Sequence, residues 1–308
     1  MKTVTSADGT TIAVETTGTG RPVILIGGAF NDRSTVAALA ATLAPQLTVL
    51  TYDRRGRGAS GPIGPWTSEA ADREIEDLAA VIELAGGIAD LFGHSSGAVL
   101  ALEATQRGLP VGRVAVYEPS YVTAESVRNG WRPRPPAGLA DRIAALAGAD
   151  QRDQAVEMFL TEAAAVPAEM VAGMRASGMW GWFTGLAHTL PYDVALGGPG
   201  LALPAERFAQ ISAPVLAIGG SQSPQWLPAA ARAIADVVPG ARYTTLDGQD
   251  HGVLNQPESL LPLLTAFYLG PQLPVTRPAT RAQIGTKRQL DGPHPSPWPG
   301  RGPGPFTL

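Results

Sequence analysis

The sequence predicts an α/β protein, a doubly wound and mostly parallel sheet with a helical cap inserted into it. Three observations carry that prediction. Continuous apolar runs such as Pro22–Ile26 and 213–219 alternate with helical stretches, as strands covered on both faces alternate with crossover helices. The pentapeptide Gly93-His94-Ser95-Ser96-Gly97 stands between one such run and an Ala/Leu-rich helical stretch, the setting of a Gly-x-Ser-x-Gly nucleophile turn. The alternation is broken once, over 119–206, by a long helical interruption without strand candidates.

Each element follows from its residues. β-prone runs near 3–5 and 11–16 flank Ala7-Asp8-Gly9-Thr10 and read as a hairpin. The run ending at Ile26 is unbroken by polar residues and stops at Gly27-Gly28, so it reads as a buried parallel strand. A helix over about 33–43, a strand over 47–52 and a helix over about 69–85 come next. The strand 88–92 leads into the turn at Ser95, a helix over 98–107 and a strand over 113–117. After the interruption the pattern resumes with the strand 213–219, a helix over about 228–238, the strand 242–246 and a helix over about 257–269. This divides the chain into a core of 1–118 and 207–269, a helical cap of 119–206, and a Pro/Gly-rich tail of 270–308 that is expected to be disordered.

The cap holds Met158, Met170, Met174 and Met179 together with Phe159, Trp180, Trp182, Phe183 and Tyr192. At helical spacing such residues form a cap's own core, and some of them are expected to line the cavity beneath it. Composition narrows the partners. The chain of 308 residues is 44% hydrophobic and only 16% charged, which suits a well-buried core. A formal charge of −4 with scattered basic residues argues against nucleic acid, which needs a clustered positive surface. Cysteine is absent, which removes thiolate catalysis and disulfides, and His94, His188, His251 and His294 are too dispersed for a metal cluster. The N-terminus lacks the apolar core of a secretory signal and no apolar run is long enough for a bilayer, so a soluble, cytoplasmic protein is expected.

With these motifs in hand, residues 1–269 resemble the α/β-hydrolase superfamily. Ile24-Leu25-Ile26-Gly27-Gly28-Ala29 looks like the family's strand ending in a His-Gly pair, with Gly27 standing where that histidine would be. Tyr52-Asp53-Arg54-Arg55-Gly56-Arg57-Gly58-Ala59-Ser60 is similar to its Asp-x-Arg-Gly-x-Gly-x-Ser turn, and Asp53, Arg54 and Arg57 are read there as structural. Gly248-Gln249-Asp250-His251-Gly252 looks like its late loop carrying a histidine base.

Acyl transfer requires a nucleophile, a base within reach of it, an acid to orient the base, and donors for the oxyanion. The resemblance makes Ser95 the nucleophile and His251 the base. The oxyanion hole is expected from the backbone N–H groups of Ser96 and Ala29. The acid departs from the commonest family pattern: where an aspartate usually follows the strand 213–219, this chain has Ser223, with no carboxylate between Gly219 and Asp236. Either the site is a Ser–His dyad or the acid has moved to Glu118, at the tip of the strand after the nucleophile's helix, a position used by some members of the superfamily. Asp250 is poorly placed to reach the far nitrogen of His251, and Asp247 reads as a loop brace. His94 is expected to pack under the turn, and His188 receives no role. Phe30, Trp180, Trp182 and Tyr121 are the candidate substrate contacts.

A serine at the turn disfavours the epoxide-hydrolase and dehalogenase chemistries of the superfamily, which use aspartate there. The expected activity is cofactor-independent cleavage of an ester-type bond, an ester, lactone or thioester of a small to medium hydrophobic substrate, with no metal. C–C cleavage of a β-diketone-like compound would use the same residues. Two alternatives stand beside it: a non-hydrolytic tailoring enzyme that restricts water under the cap, and a non-catalytic ligand-binding protein. Oligomeric state is not encoded in any signal of the sequence.

Overall fold

The computed structural model describes residues 1–67, 69–176 and 178–271. The expectation of a disordered tail lies, from residue 272 onward, outside the described residues.

Eight strands form one sheet in the order β1-β2-β4-β3-β5-β6-β7-β8: β1 (Lys2–Thr5), β2 (Thr11–Thr17), β3 (Pro22–Ile26), β4 (Thr48–Tyr52), β5 (Ala89–His94), β6 (Val111–Tyr117), β7 (Val215–Gly220) and β8 (Arg242–Leu246). The hairpin β1–β2 and the β2–β4 pair are antiparallel, and every other pair is parallel. The crossovers are α1 (Ala37–Leu43), α2 (Ala70–Leu84), α3 (Ser96–Gln106) and, after β7, α11 (Trp226–Val237), with α12 (Leu261–Leu269) closing the described fold. Between β6 and β7 run α4 (Ala124–Arg128), α5 (Leu139–Gly148), α6 (Arg152–Met158), α7 (Ala168–Arg175), α8 (Trp180–Gly185), α9 (Leu190–Leu196) and α10 (Ala205–Phe208). In this insertion one parallel bridge, Val122 to Ala202, ties the start of the excursion to its end.

The unbroken apolar runs have a physical reason. Successive side chains of a strand point to opposite faces, and here both faces are covered. Ile24, Ile26, Val114, Val116, Val215 and Ala217 pack on one side with α2, α3 and α11. Val23, Leu25, Ala115, Tyr117, Leu216 and Ile218 pack on the other with α1 and α12. A third cluster, built from Leu139, Ile143, Val156, Phe159, Trp180 and Leu190, belongs to the insertion, and Ala29 and Phe30 of the core pack against it.

Several boundaries shift from the sequence reading, two of them for a local reason. The helix expected from 98 begins at Ser96, because the turn at Ser95 is tight enough to start helix at once. The helix expected from 257 splits into a single 3₁₀ turn, Pro257–Ser259, and α12, which starts where Pro262 is tolerated in a first turn. Among the described residues no helix is long and apolar enough to cross a membrane.

Candidate active site

The site is assembled where β5, β6 and β7 end. Two backbone bonds carry the sheet ladder one step past its strands: Ser95 N–H donates to Tyr117 O (3.0 Å) and Glu118 N–H to Ile218 O (3.0 Å). They set Ser95 and Glu118 side by side on the carboxyl edge of the sheet, where ligands of open α/β folds bind. Ser95 has φ 56° and ψ −121°, a conformation costly for any residue with a Cβ. The flanking glycines make the turn possible. A Cβ on Gly93 would stand 2.5 Å from Ala98 Cα, and one on Gly97 would stand 2.3 Å from Ile26 O. Helix α3 starts at Ser96, so its first N–H groups, which lack intrahelical acceptors, converge next to the Ser95 side chain.

Glu118 also takes a positive φ (47°), and its side chain is fully buried. One carboxylate oxygen accepts from Gly220 N–H (2.8 Å), on the very strand whose following loop lacks the usual aspartate. The other accepts from His251 Nδ1–H (2.7 Å). A carboxylate can only accept, so the proton of a neutral His251 lies on Nδ1 and Nε2 is left as a free lone pair. Ser223, in the turn after β7, is not the partner of the imidazole. The loop carrying His251 is held through its backbone: Tyr117 OH donates to Asp250 O (2.7 Å) and His94 Nε2–H to His251 O (2.8 Å). Asp250 turns its own carboxylate to Gly252 N–H (2.8 Å), away from the ring of His251. Burial, with the neighbouring His251, pushes the His94 imidazole down to about 3, so it is a neutral strut at any ordinary pH.

The loop from Gly27 to Asn31 closes over Ser95. A Cβ on Gly28 would lie 2.8 Å from Ser95 Cβ, which measures how closely the backbone passes the hydroxyl. Asn31 Oδ1 accepts from Gly28 N–H (2.9 Å), Arg57 Nη1 donates to Gly28 O (2.7 Å), and Trp182 Nε1–H donates to Phe30 O (2.7 Å). These bonds hold Phe30 at φ 60°. The replacement of the family's histidine by Gly27 now has a reason: a Cβ there would stand 2.8 Å from Asn31 Cβ, so the asparagine fastens the loop from within and leaves no room for a side chain.

Asp193, on α9 of the insertion, is a residue that sequence reasoning missed. It reaches into the core and accepts from Ser96 Oγ–H (2.6 Å), Arg54 Nη1 (2.8 Å) and Arg57 Nη2 (2.8 Å). Arg54 is in turn clamped by Glu74, with its Nε 2.6 Å from one carboxylate oxygen. Burial raises the Asp193 carboxyl, but Arg57, Arg54 and the Ser96 hydroxyl outweigh it and keep the group below the ordinary carboxylate range. The result is an ionised carboxylate locked to the residue that follows Ser95. No local pattern marks Tyr192-Asp193 as special; the partners lie 97 to 139 residues away. Arg54 and Arg57 are thereby given partners. They are structural, but what they hold is the wall of the site. His188 Nε2 bonds Gly56 O (2.9 Å) on the same turn.

A cavity of about 710 Å³ opens here, lined by Ala29, Phe30, Ser95, Ser96 and His251 and, from the insertion, by apolar residues such as Phe159 and Leu160. Three expected substrate contacts lie elsewhere. Tyr121 is fully buried in the core, its hydroxyl on Glu103 (3.1 Å) and its ring against Phe208, because its neighbour Val122 is pinned in the bridge to Ala202. Trp180 is consumed by the insertion's own core, donating to Asp153 (2.6 Å). Trp182 stays 45% exposed and touches the site only through its bond to Phe30 O. Their places are taken by Trp226, Phe159 and Val194. Among the described residues no group of three or more His, Asp or Glu is arranged to hold a metal ion.

Comparison with known proteins agrees with this architecture. Residues 23–262 match the model of the alpha/beta hydrolase family. An alpha/beta hydrolase from Sphaerobacter thermophilus is similar at 46% identity over 87% of this chain and 100% of its own, with a TM-score of 0.78. A hydrolase from Pseudomonas aeruginosa is 23% identical over 88% of this chain and 98% of its own (TM-score 0.67). The enol-lactonase from Burkholderia xenovorans is 20% identical over 86% and 99% (TM-score 0.61). The last two likenesses establish the shared fold.

Proposed function

The chain belongs to the alpha/beta hydrolase family, and on that premise we propose that it is a serine hydrolase cleaving an ester-type bond through an acyl-enzyme. The observation that carries the proposal is the His251 Nδ1–Glu118 contact of 2.7 Å beside a serine held at φ 56° in the same cavity. A serine hydroxyl is a poor nucleophile at neutral pH without a base. With its Nδ1 proton held by Glu118, His251 has the correct nitrogen free to take the Ser95 proton as Oγ attacks the carbonyl carbon. Charge then develops on the carbonyl oxygen, and the backbone N–H groups of Ser96 and Ala29 are its proposed donors. His251 returns the proton to the leaving group, and a water activated by the same base releases the acid. The roles of Ser95, His251, Glu118, Ala29 and Ser96 belong to this proposal, as does the reading of the insertion as a cap over a small hydrophobic substrate.

An ester, lactone or thioester fits a cycle that uses only side chains and water. That the Burkholderia neighbour is an enol-lactonase is consistent with such a bond. A buried, hydrogen-bonded acid gives no support to a decayed, purely binding site. The test is labelling with a fluorophosphonate, which requires an activated serine and no knowledge of the substrate, followed by mapping of the modified peptide. Stoichiometric labelling at Ser95, lost in His251→Ala, is the expected result. An unlabelled protein, under conditions that modify a control esterase, overturns the proposal.

A further inference from the structure

The arginines of the turn after β4 all have acids: Arg54 has Glu74 and Asp193, Arg55 has Asp77 and Asp8, and Arg57 has Asp193. Arg132, between α4 and α5, is only 1% exposed and has none among the described residues. Its guanidinium donates to Ser120 O (3.1 Å) and Ala163 O and stacks on the Trp226 ring at 3.9 Å. Its Nε finds no acceptor. Burial pushes the guanidinium down from its ordinary value with no nearby charge to oppose it. A buried cation without an anion is costly, and an anion bound close by would offset part of that cost through its charge.

Ser120, Ala163 and Trp226, the three residues the guanidinium touches, all line the cavity. One layer of groups therefore separates the charge from a bound ligand. The acids that line the cavity do not answer this charge. Asp193 is neutralised by Arg54 and Arg57, and Asp250 accepts from Gly252 N–H. We infer that the end of the cavity bounded by Ser120, Ala163 and Trp226 receives a carboxylate of the substrate, carried on an apolar spacer away from the bond that is cut. The inference rests on the hydrolase reading and narrows it to acidic esters or lactones, such as half-esters of a dicarboxylic acid. The carboxylate approaches a guanidinium already desolvated and fixed by two carbonyls and a ring, so little ordering is required of the protein on binding.

The test is a matched pair of esters, monomethyl adipate and methyl hexanoate, followed by pH-stat kinetics. The parent enzyme is expected to favour the half-ester by at least about tenfold in kcat/KM, a preference that added salt weakens little because the pair is buried. In Arg132→Met the ratio collapses toward one, while Arg132→Lys, which keeps the charge, retains part of it. Equal losses on both esters at an unchanged ratio make Arg132 a structural clamp and overturn the inference. Where Arg132→Met does not fold, calorimetric binding of the two esters to Ser95→Ala protein decides without altering Arg132. Tighter binding of monomethyl adipate upholds the inference, and equal or absent binding overturns it. Failure of the hydrolase reading looks different, since neither ester is then turned over by the parent while the binding preference persists.

Discussion

The carboxyl edge of the sheet and the helical insertion build the site in different ways. At the edge, position is set by backbone: the ladder bonds from Ser95 and Glu118, the Gly220 amide on the acid, and the carbonyls of Asp250 and His251 that hold the base loop. In the insertion, position is set by single side chains reaching across the fold, Asp193 to Ser96 and Trp182 to Phe30. A backbone-built site follows once the strands are in register, and so it is tied to local sequence. A side-chain-built contact depends on where a distant helix lands. On the proposed function, the edge is the seat of the chemistry and the insertion its support and its substrate wall.

The largest expected effect tests the edge. Glu118→Gln removes the charge that stabilises a protonated His251 and is expected to lower kcat by on the order of 10⁴, as loss of a triad acid does. Steady-state hydrolysis of a reactive ester measures it, and an unchanged rate reduces Glu118 to a brace and leaves a Ser–His dyad. Next comes the strongest contact from the insertion. Asp193→Asn breaks a buried pairing with two arginines and is expected to cost about 3 kcal/mol of stability, read by urea unfolding. It is also expected to lower kcat more than it raises KM, because Ser96 loses its anchor while the cavity wall stays. A pure KM effect would place Asp193 on the substrate instead.

A smaller, pH-dependent effect sharpens the account of the edge. His94 has a folded value of about 3 against 6.5 for an ordinary imidazole, so between those values the unfolded chain holds a proton that the folded one refuses. Stability contributed by neutral His94 is present above about 6.5 and is lost as pH falls toward about 3. His94→Gln, which keeps a donor for His251 O, is expected to flatten the fall in melting temperature between pH 7 and pH 4. An unaltered slope would show that the ring is not a buried neutral strut. The smallest effect concerns Trp182→Phe, which retains the ring and removes one hydrogen bond, worth about 1 kcal/mol. A few-fold loss of kcat that is uniform across acyl chain lengths is expected. A loss that grows with chain length would return Trp182 to the substrate wall.

Much of this was legible in the residues. Gly93 and Gly97 flank Ser95 because only glycine fits within 2.5 Å of Ala98 and Ile26, and such a steric demand leaves a mark in five consecutive letters. The apolar runs Pro22–Ile26 and Val215–Gly220 mark strands buried on both faces. The pairing of Glu118 with His251 was one of two options in the sequence. Only the register of β6 with β7, which sets Glu118 beside Gly220, separates them. Trp180 and Tyr121 do not make the expected substrate contacts because amphipathic spacing says that a face is buried, without saying against what. Both are buried as expected of large rings, Trp180 in the insertion's own cluster and Tyr121 in that of the sheet, and neither lines the cavity.

The sequence by itself determined the doubly wound sheet, the nucleophile turn and the histidine loop, because each is written in adjacent residues whose sterics and periodicity are local. The tertiary structure decided the pairing of Glu118 with His251, the Asn31 lock that replaces a histidine at Gly27, the grip of Asp193 on Ser96 and the charge of Arg132, unpaired among the described residues. Each of these joins elements that are brought together only by folding, and the energy of a buried charge depends on which partners the fold delivers to it.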